Sequence, residues 1–380
     1  MKKLMKVGAL VISAAMVFAG CGEAPGSAPA ANEVEPVVVV DPTQEVQVPG
    51  DAVAEHVLPC IVADQGGFDD RSFNQSAFEG VQAAAGQLGI NTFPNIQSTD
   101  PASFGPNLEA LVDQGCTLIV ATGFAFAEAV VAAAHAHPDV HFLMVDSDAV
   151  VNGELPPSNV KTVLFDTAQA AFLAGYVSAA FSSREGGANH VGTFGGMAFP
   201  TVTIFMDGFR QGVEYFNSQN GTNVLVTGWD GNDGAFTGGF FAGPEATAIA
   251  QGLVDQGVDV ILPVGGPIYQ SAVTVIEGSG REIALIGVDM DLFYTDPTTQ
   301  DIVLTSILKE INVAVRDSIM MSATGGWDPT PYVGTLYNEG VGLAPFHNFE
   351  SQIPQDVRDK VAQLQADIKS GAVTVQSPFN

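Results

Sequence analysis

Basic residues are scarce in this chain. Only 13 of 380 residues are Lys or Arg, against 42 Asp and Glu, and the formal net charge is −29. Nucleic acid is excluded as a partner, because neutralising phosphates takes clustered Lys and Arg. An anionic membrane surface is unattractive for the same reason. Cysteine is almost missing too: Cys21, Cys60 and Cys116 are the full set, and no Cys/His spacing resembles a zinc site. No metal and no other cofactor is expected. His135, His137 and His141 are close in sequence but fall at a helix end and a strand start, which reads as surface. There is no Walker loop and no GxGxxG after a strand, so a phosphate cradle is lacking. After residue 21, no apolar run approaches the roughly 20 residues of a membrane-spanning helix.

What is present begins with a targeting pattern. Lys2, Lys3 and Lys6 precede the apolar run Val7 to Phe18, as in an export signal. The segment ends Phe18-Ala19-Gly20-Cys21, which resembles the lipobox of bacterial lipoproteins, with Phe where Leu is usual. Cys21 is the expected lipidation site, and an acylated Cys anchors a chain without spanning the bilayer. Residues 22–52, rich in Ala, Pro, Gly, Glu and Val, read as a flexible linker. Cys60 and Cys116 allow either a disulfide, as an exported protein permits, or two buried thiols; the second is the blander reading and the one expected here.

Apolar content is 46%, enough for packed cores, and the length suits two domains. Strand-like runs alternate with helix-length segments: Val57–Ala63, Thr92–Ile96, Thr117–Ala121, His141–Val145 and Val160–Phe165, then His190–Gly195, Val224–Gly228, Val258–Val264, Ile283–Val288 and Asp301–Ser306. This order predicts an α/β fold with a parallel sheet in each of two lobes. Residues 55–166 plus about 296–325 are assigned to the first lobe, and 167–295 plus about 326–380 to the second. A ligand would sit between them.

Chemistry gathers at strand carboxyl ends, where open α/β sheets bind ligands. Asp64 ends the first strand, and Ser72, Phe73 and Asn74 stand at the next helix mouth. Asp70 is read equally as a helix cap. Phe73 and Phe78 face differently, and Phe73, nearer the mouth, is assigned to the cleft. Asp146 and Asp289 each end a strand. Gly265-Gly266-Pro267 offers backbone donors. Phe205 and Phe209, one helical turn apart, read as core. Of Phe236, Phe240 and Phe241 in a Gly-rich loop, Phe241 beside Gly243-Pro244 is chosen as a stacking ring. Lys309 is one of only two lysines, with Lys161, between the linker and Lys360. It is placed at a lobe junction, where it and Asp289 together suit vicinal hydroxyls.

The run Asp64 to Gly80 resembles the basic membrane protein family of substrate-binding lipoproteins, which serve ABC importers and include purine nucleoside receptors. Gly195-Gly196-Met197 with Pro200 and Phe205, Gly287-Val288-Asp289, Leu304-Thr305-Ser306 with Lys309, and Gly340 to Pro345 extend the likeness over roughly 57–350. The resemblance implies a type I periplasmic-binding-protein fold: two Rossmann-like lobes, three crossovers, closure on the ligand. It implies a base held between Phe73 and Phe241 and read by Asp146. Asp289, Lys309 and Gly266 would hold the ribose, with Asp64 and Asn74 lining the first lobe. Where family members show Phe-x-Asp-Pro, this chain has Phe241-Ala-Gly-Pro.

The expectation is therefore a binding protein and not an enzyme. It would be a monomer, lipid-anchored on the extracytoplasmic face, capturing a nucleoside, by preference a purine, for an ABC permease. The alternative is a same-fold binding or sensing protein for a sugar or other small polar ligand. A nucleoside hydrolase would need clustered acids around an activated water, whereas these acids are spread over both lobes.

Overall fold

Five- and six-residue apolar runs with no polar alternation form the central strands, as expected of strands covered on both faces. The computed structural model describes residues 57–379; the export signal, Cys21 and the linker lie outside the described residues. Among the described residues, twelve strands divide between two sheets. In chain order they are β1 Pro59–Ala63, β2 Asn95–Gln97, β3 Leu118–Thr122, β4 His141–Val145, β5 Val160–Phe165, β6 His190–Gly195, β7 Leu225–Thr227, β8 Val260–Val264, β9 Ala284–Asp289, β10 Val303–Lys309, β11 Tyr332–Gly334 and β12 Val341–Leu343. The first sheet runs β11-β5-β4-β3-β1-β2 and the second β12-β10-β9-β8-β6-β7. All pairings are parallel except β10 with β12. This is the two-lobe α/β type I fold.

The lobe boundaries differ from the sequence assignment at two points. Residues 296–325 were expected in the first lobe, yet β10 pairs with β9 and belongs to the second sheet. Residues 326–380 were expected in the second lobe, yet β11 extends the first sheet beside β5. The chain therefore crosses after β5, after β10 and between β11 and β12. The three crossings lie side by side: Asp166 donates its N–H to Gly334 O at 2.7 Å, and Glu310 donates to Gly340 O at 3.0 Å. Both β11 and β12 have only three residues, too few to carry a readable period.

The helices that matter for the cleft are α1 Phe73–Gln87, α2 Phe104–Asp113, α3 Ala127–Ala136, α4 Ala168–Ser182, α5 Pro200–Asn220, α6 Pro244–Asp255, α7 Tyr269–Ser279, α8 Leu292–Thr295 and α9 Ile311–Ala323; α10 Gln355–Lys369 closes the fold. α9 packs on α1 in the first lobe and α4 packs on α5 in the second. The α4–α5 contact depends on absent side chains. A Cβ on Gly212 would sit 2.0 Å from Phe172 O, and one on Gly208 2.5 Å from Ala168 O. Phe205 and Phe209 are both buried.

Cys60 and Cys116 form a disulfide, with Cα atoms 5.9 Å apart, so the expectation of two free thiols is corrected. β1 and β3 are hydrogen-bonded neighbours, and Cys116 lies just before β3. Adjacency of the two strands places the sulfurs within bonding reach. His141 is another correction. It is half-buried, stacked on Trp327 at 3.9 Å, with Nδ1 2.8 Å from Ser322 Oγ.

Candidate functional site

The carboxyl ends of the two sheets face each other, and a cavity of about 210 Å³ opens between them. At the mouth of α1, the Asp70 carboxylate accepts N–H bonds from Ser72, Asn74 and Gln75 at 2.9–3.1 Å. It is therefore the helix cap, and it also lines the cavity. The Asn74 side chain is fully engaged. Its Nδ2 donates to Asp64 Oδ1 at 2.8 Å and Asp70 Oδ2 at 3.2 Å, while its Oδ1 accepts from Thr122 Oγ1. One amide thus spaces two carboxylates, Asp64 half-buried and Asp70 buried. Burial pushes the Asp64 carboxyl up against the opposing pull of Asn74 and the Gly66 N–H. Burial raises Asp70 to about 6 despite its three N–H bonds, and Asp289 adds to the rise.

Asp146 ends its lobe's third strand counted from the β11 edge, and Asp289 its lobe's third strand counted from the β12 edge. They are counterparts in the two lobes. Both have left-handed backbones, φ +62° and +66°, which Asp tolerates better than most residues. Lys309, at the end of β10, lies between them. Its Nζ is 2.5 Å from Asp146 Oδ2 and 3.8 Å from Asp289 Oδ1. All three are buried. Burial pushes both carboxyls up and the Lys309 charge pulls both down. The ammonium also lies 4.9 Å from the Phe205 ring centroid and 5.5 Å from that of Phe73. The pairing foreseen from sequence was Lys309 with Asp289; the shorter contact is to Asp146 in the opposite lobe.

Aromatic rings supply the rest. Phe73 lines the cavity, while Phe78 packs away from it against Phe68 and Phe93. Phe241 does not line the cavity and is 54% exposed, whereas its neighbour Phe240 lines it. The Phe240 ring lies over Gly196, where a Cβ would stand 2.5 Å from it. Phe124 and Phe199 also line the cavity and meet across the lobes at 5.1 Å between centroids. Sequence reading missed Phe124, although it follows a strand end, the signal that picked out Asp64. Phe205, read as core, is buried and also borders the cavity beneath Lys309. Of the residues selected from sequence, Asp64, Phe73, Asn74, Asp146, Gly266, Asp289 and Lys309 line one cavity. Among the described residues no group of His, Cys, Asp and Glu could hold a metal ion.

The lobes also touch directly, at the edge of the cavity and beyond it. Ser72 Oγ donates to Asp289 Oδ2 at 2.7 Å, Thr295 Oγ1 donates to Arg71 O at 3.1 Å, and Arg71 Nη1 lies 2.5 Å from Asp296 Oδ2.

A cavity between two parallel-sheet lobes, joined by three strands of chain, is the arrangement of a two-lobe solute-binding protein. The chain belongs to the Bmp family, described as "ABC transporter substrate-binding protein PnrA-like", whose model matches residues 59–372. It is 26% identical over 99% of both chains to the ABC transporter nucleoside-binding protein BmpA of Lactococcus lactis subsp. cremoris. It is 26% identical to basic membrane protein A1 of Borrelia garinii subsp. bavariensis, over 83% of this chain and 86% of that one. A solved ABC transporter solute-binding protein from Aeropyrum pernix superposes with a TM-score of 0.73 at 24% identity, covering 85% of this chain and 94% of that chain. The family is one of solute-binding proteins for ABC transporters, which is not an enzyme class.

Proposed function

We propose that the protein captures a nucleoside, by preference a purine, between its lobes and passes it to an ABC permease. The observation that carries this reading is the pairing of aromatic rings with buried carboxylates from both lobes in one cavity. Rings from each lobe, Phe73 on one side and Phe240 on the other, offer flat apolar faces. Stacking on such faces contributes about 0.5–1.5 kcal/mol per ring beyond burial. The acids Asp64, Asp146 and Asp289 accept hydrogen bonds and cannot donate them when ionised. They therefore favour a ligand rich in O–H and N–H groups and disfavour a phosphate. A planar base with a hydroxylated sugar meets both demands. Asp146 would read the base edge, and Asp289, Lys309 and Gly266 would hold the ribose. The name of the Lactococcus lactis relative points the same way.

Isothermal titration with inosine, guanosine, adenosine, cytidine and uridine tests the proposal. Saturable heat with at least one purine nucleoside is expected, and silence from all five would sink it. Heat with a free sugar alone would transfer the site to the sugar reading. Asp289→Ala should weaken inosine binding by roughly 10- to 100-fold, the loss expected when a charged hydrogen-bond partner is removed.

We further infer export and anchoring through Cys21. The buried Cys60–Cys116 disulfide supports an oxidising compartment. Labelled palmitate should enter the wild-type protein, and Cys21→Ala should lose the label and appear in the medium.

A further inference from the structure

The lips of the cleft carry a contact that touches no part of the cavity. Arg71 precedes α1 in the first lobe, and Asp296 follows α8 in the second. Neither lines the cavity. Arg71 holds a left-handed backbone, φ +58°, which costs a non-glycine residue free energy unless its surroundings hold it. Here they do so from the opposite lobe. Thr295 Oγ1 donates to the Arg71 carbonyl, and the Arg71 guanidinium pairs with Asp296. Asp296 is set in place by its own lobe: its carboxylate accepts from Tyr269 O–H at 2.7 Å and from Thr298 Oγ1 at 2.6 Å and N–H at 3.2 Å. Burial would raise the Asp296 carboxyl, but the Thr298, Tyr269 and Arg71 bonds hold it below its ordinary range. The second lobe thus presents a fixed anion at its rim, and the first lobe presents a cation that meets it when the cleft is shut.

We propose that Arg71 and Asp296 form a latch that slows opening of the closed cleft, so that ligand residence depends on a contact the ligand never makes. Two lobes joined by three narrow crossings are free to hinge unless something ties the far edges. A tie made only in the closed form slows release and leaves encounter with the open form almost unchanged. The Arg71 side chain is 42% exposed and that of Asp296 6%. The pair is therefore solvent-screened, and its effect is modest and salt-sensitive.

The latch rests on the nucleoside reading only for its first probe, inosine. Arg71→Asn removes the charge and keeps a residue that tolerates a left-handed backbone. Stopped-flow displacement should show inosine leaving about threefold to fivefold faster from Arg71→Asn. Association should change less than twofold and Tm should hold. Arg71→Lys should restore part of the residence time. Added NaCl should speed release from wild type more steeply than from Arg71→Asn. Hydrogen exchange in the absence of nucleoside supplies a probe that needs no ligand: amides of 68–80 and 290–300, protected by the closed form that the free protein samples, should exchange up to about twofold faster in Arg71→Asn. Unchanged release together with unchanged exchange overturns the latch. If wild type binds no inosine, the nucleoside reading falls, and the exchange comparison alone decides for or against the latch.

Discussion

Asp70 shows how one carboxylate serves the fold and the cavity together. It closes the open N–H groups of α1 and at the same time presents a carboxylate to the cavity. Burial, opposed by those N–H bonds, lifts its pKa from 3.8 to about 6. The sign of the consequence follows from linkage. The folded chain binds this proton more tightly than the unfolded chain, so the stability associated with Asp70 is greatest below pH ~4 and falls as pH rises to ~6. Asp70→Asn should flatten that limb of the unfolding free energy plotted against pH, by at most about 3 kcal/mol. Thermal unfolding of both proteins across this range checks it, and superimposable profiles would refute the shift. Asp64 and Asp146 were selected from sequence because open α/β sheets bind ligands at strand carboxyl ends, and Asp70, in the turn before α1, was weighed equally as a helix cap. The spacing amide of Asn74 and the short Lys309–Asp146 contact were not legible. Each depends on which side chains the two sheets bring together across long stretches of chain.

Elements were easier to read than the rings their loops present. Strands such as β1, β3 and β8, apolar but for Thr122 at the end of β3, are buried along their whole length and announce themselves as runs. β10 is buried along nearly all its length, but which sheet it joins is set by its pairing partner, which no local pattern encodes. The loop after β7 illustrates a second limit. Phe240 and Phe241 are adjacent, and a loop can turn either ring inward; the bare backbone at Gly196 gives the ring of Phe240 its place. Phe240→Ala should weaken binding of the proposed nucleoside about tenfold, from lost stacking and burial, while Phe241→Ala should bind as wild type. The reverse ranking in calorimetry would return the ring to Phe241. The disulfide at the base of β1 and β3 closes a separation of 56 residues. Replacing both cysteines with Ala should cost about 4 kcal/mol on the loop-entropy account, read as a drop in the urea midpoint with the cavity intact.

At the scale of the whole molecule, charge governs behaviour. A formal charge of −29 repels itself in any compact form, and the closed cleft adds several acids facing one another across the lobes. Salt screens that repulsion: the Debye length falls from roughly 30 Å at 0.01 M to about 3 Å at 1 M. Tm should therefore climb by several degrees over that range, against the small loss that screening imposes on the Arg71–Asp296 pair. Ligand charge should be read by the same field. A neutral nucleoside feels little of it, so inosine affinity should vary weakly with salt. Inosine 5′-monophosphate carries its charge into a cavity whose only lysine is already shared by Asp146 and Asp289. Its binding should be undetectable at low salt and should stay far weaker than that of inosine at 1 M, where long-range repulsion is screened and the local acids remain. Titration of both ligands at the two salt levels separates the contributions. Recovery of monophosphate binding at high salt would assign exclusion to net charge, and continued weak binding at 1 M would assign it to the acids of the cavity.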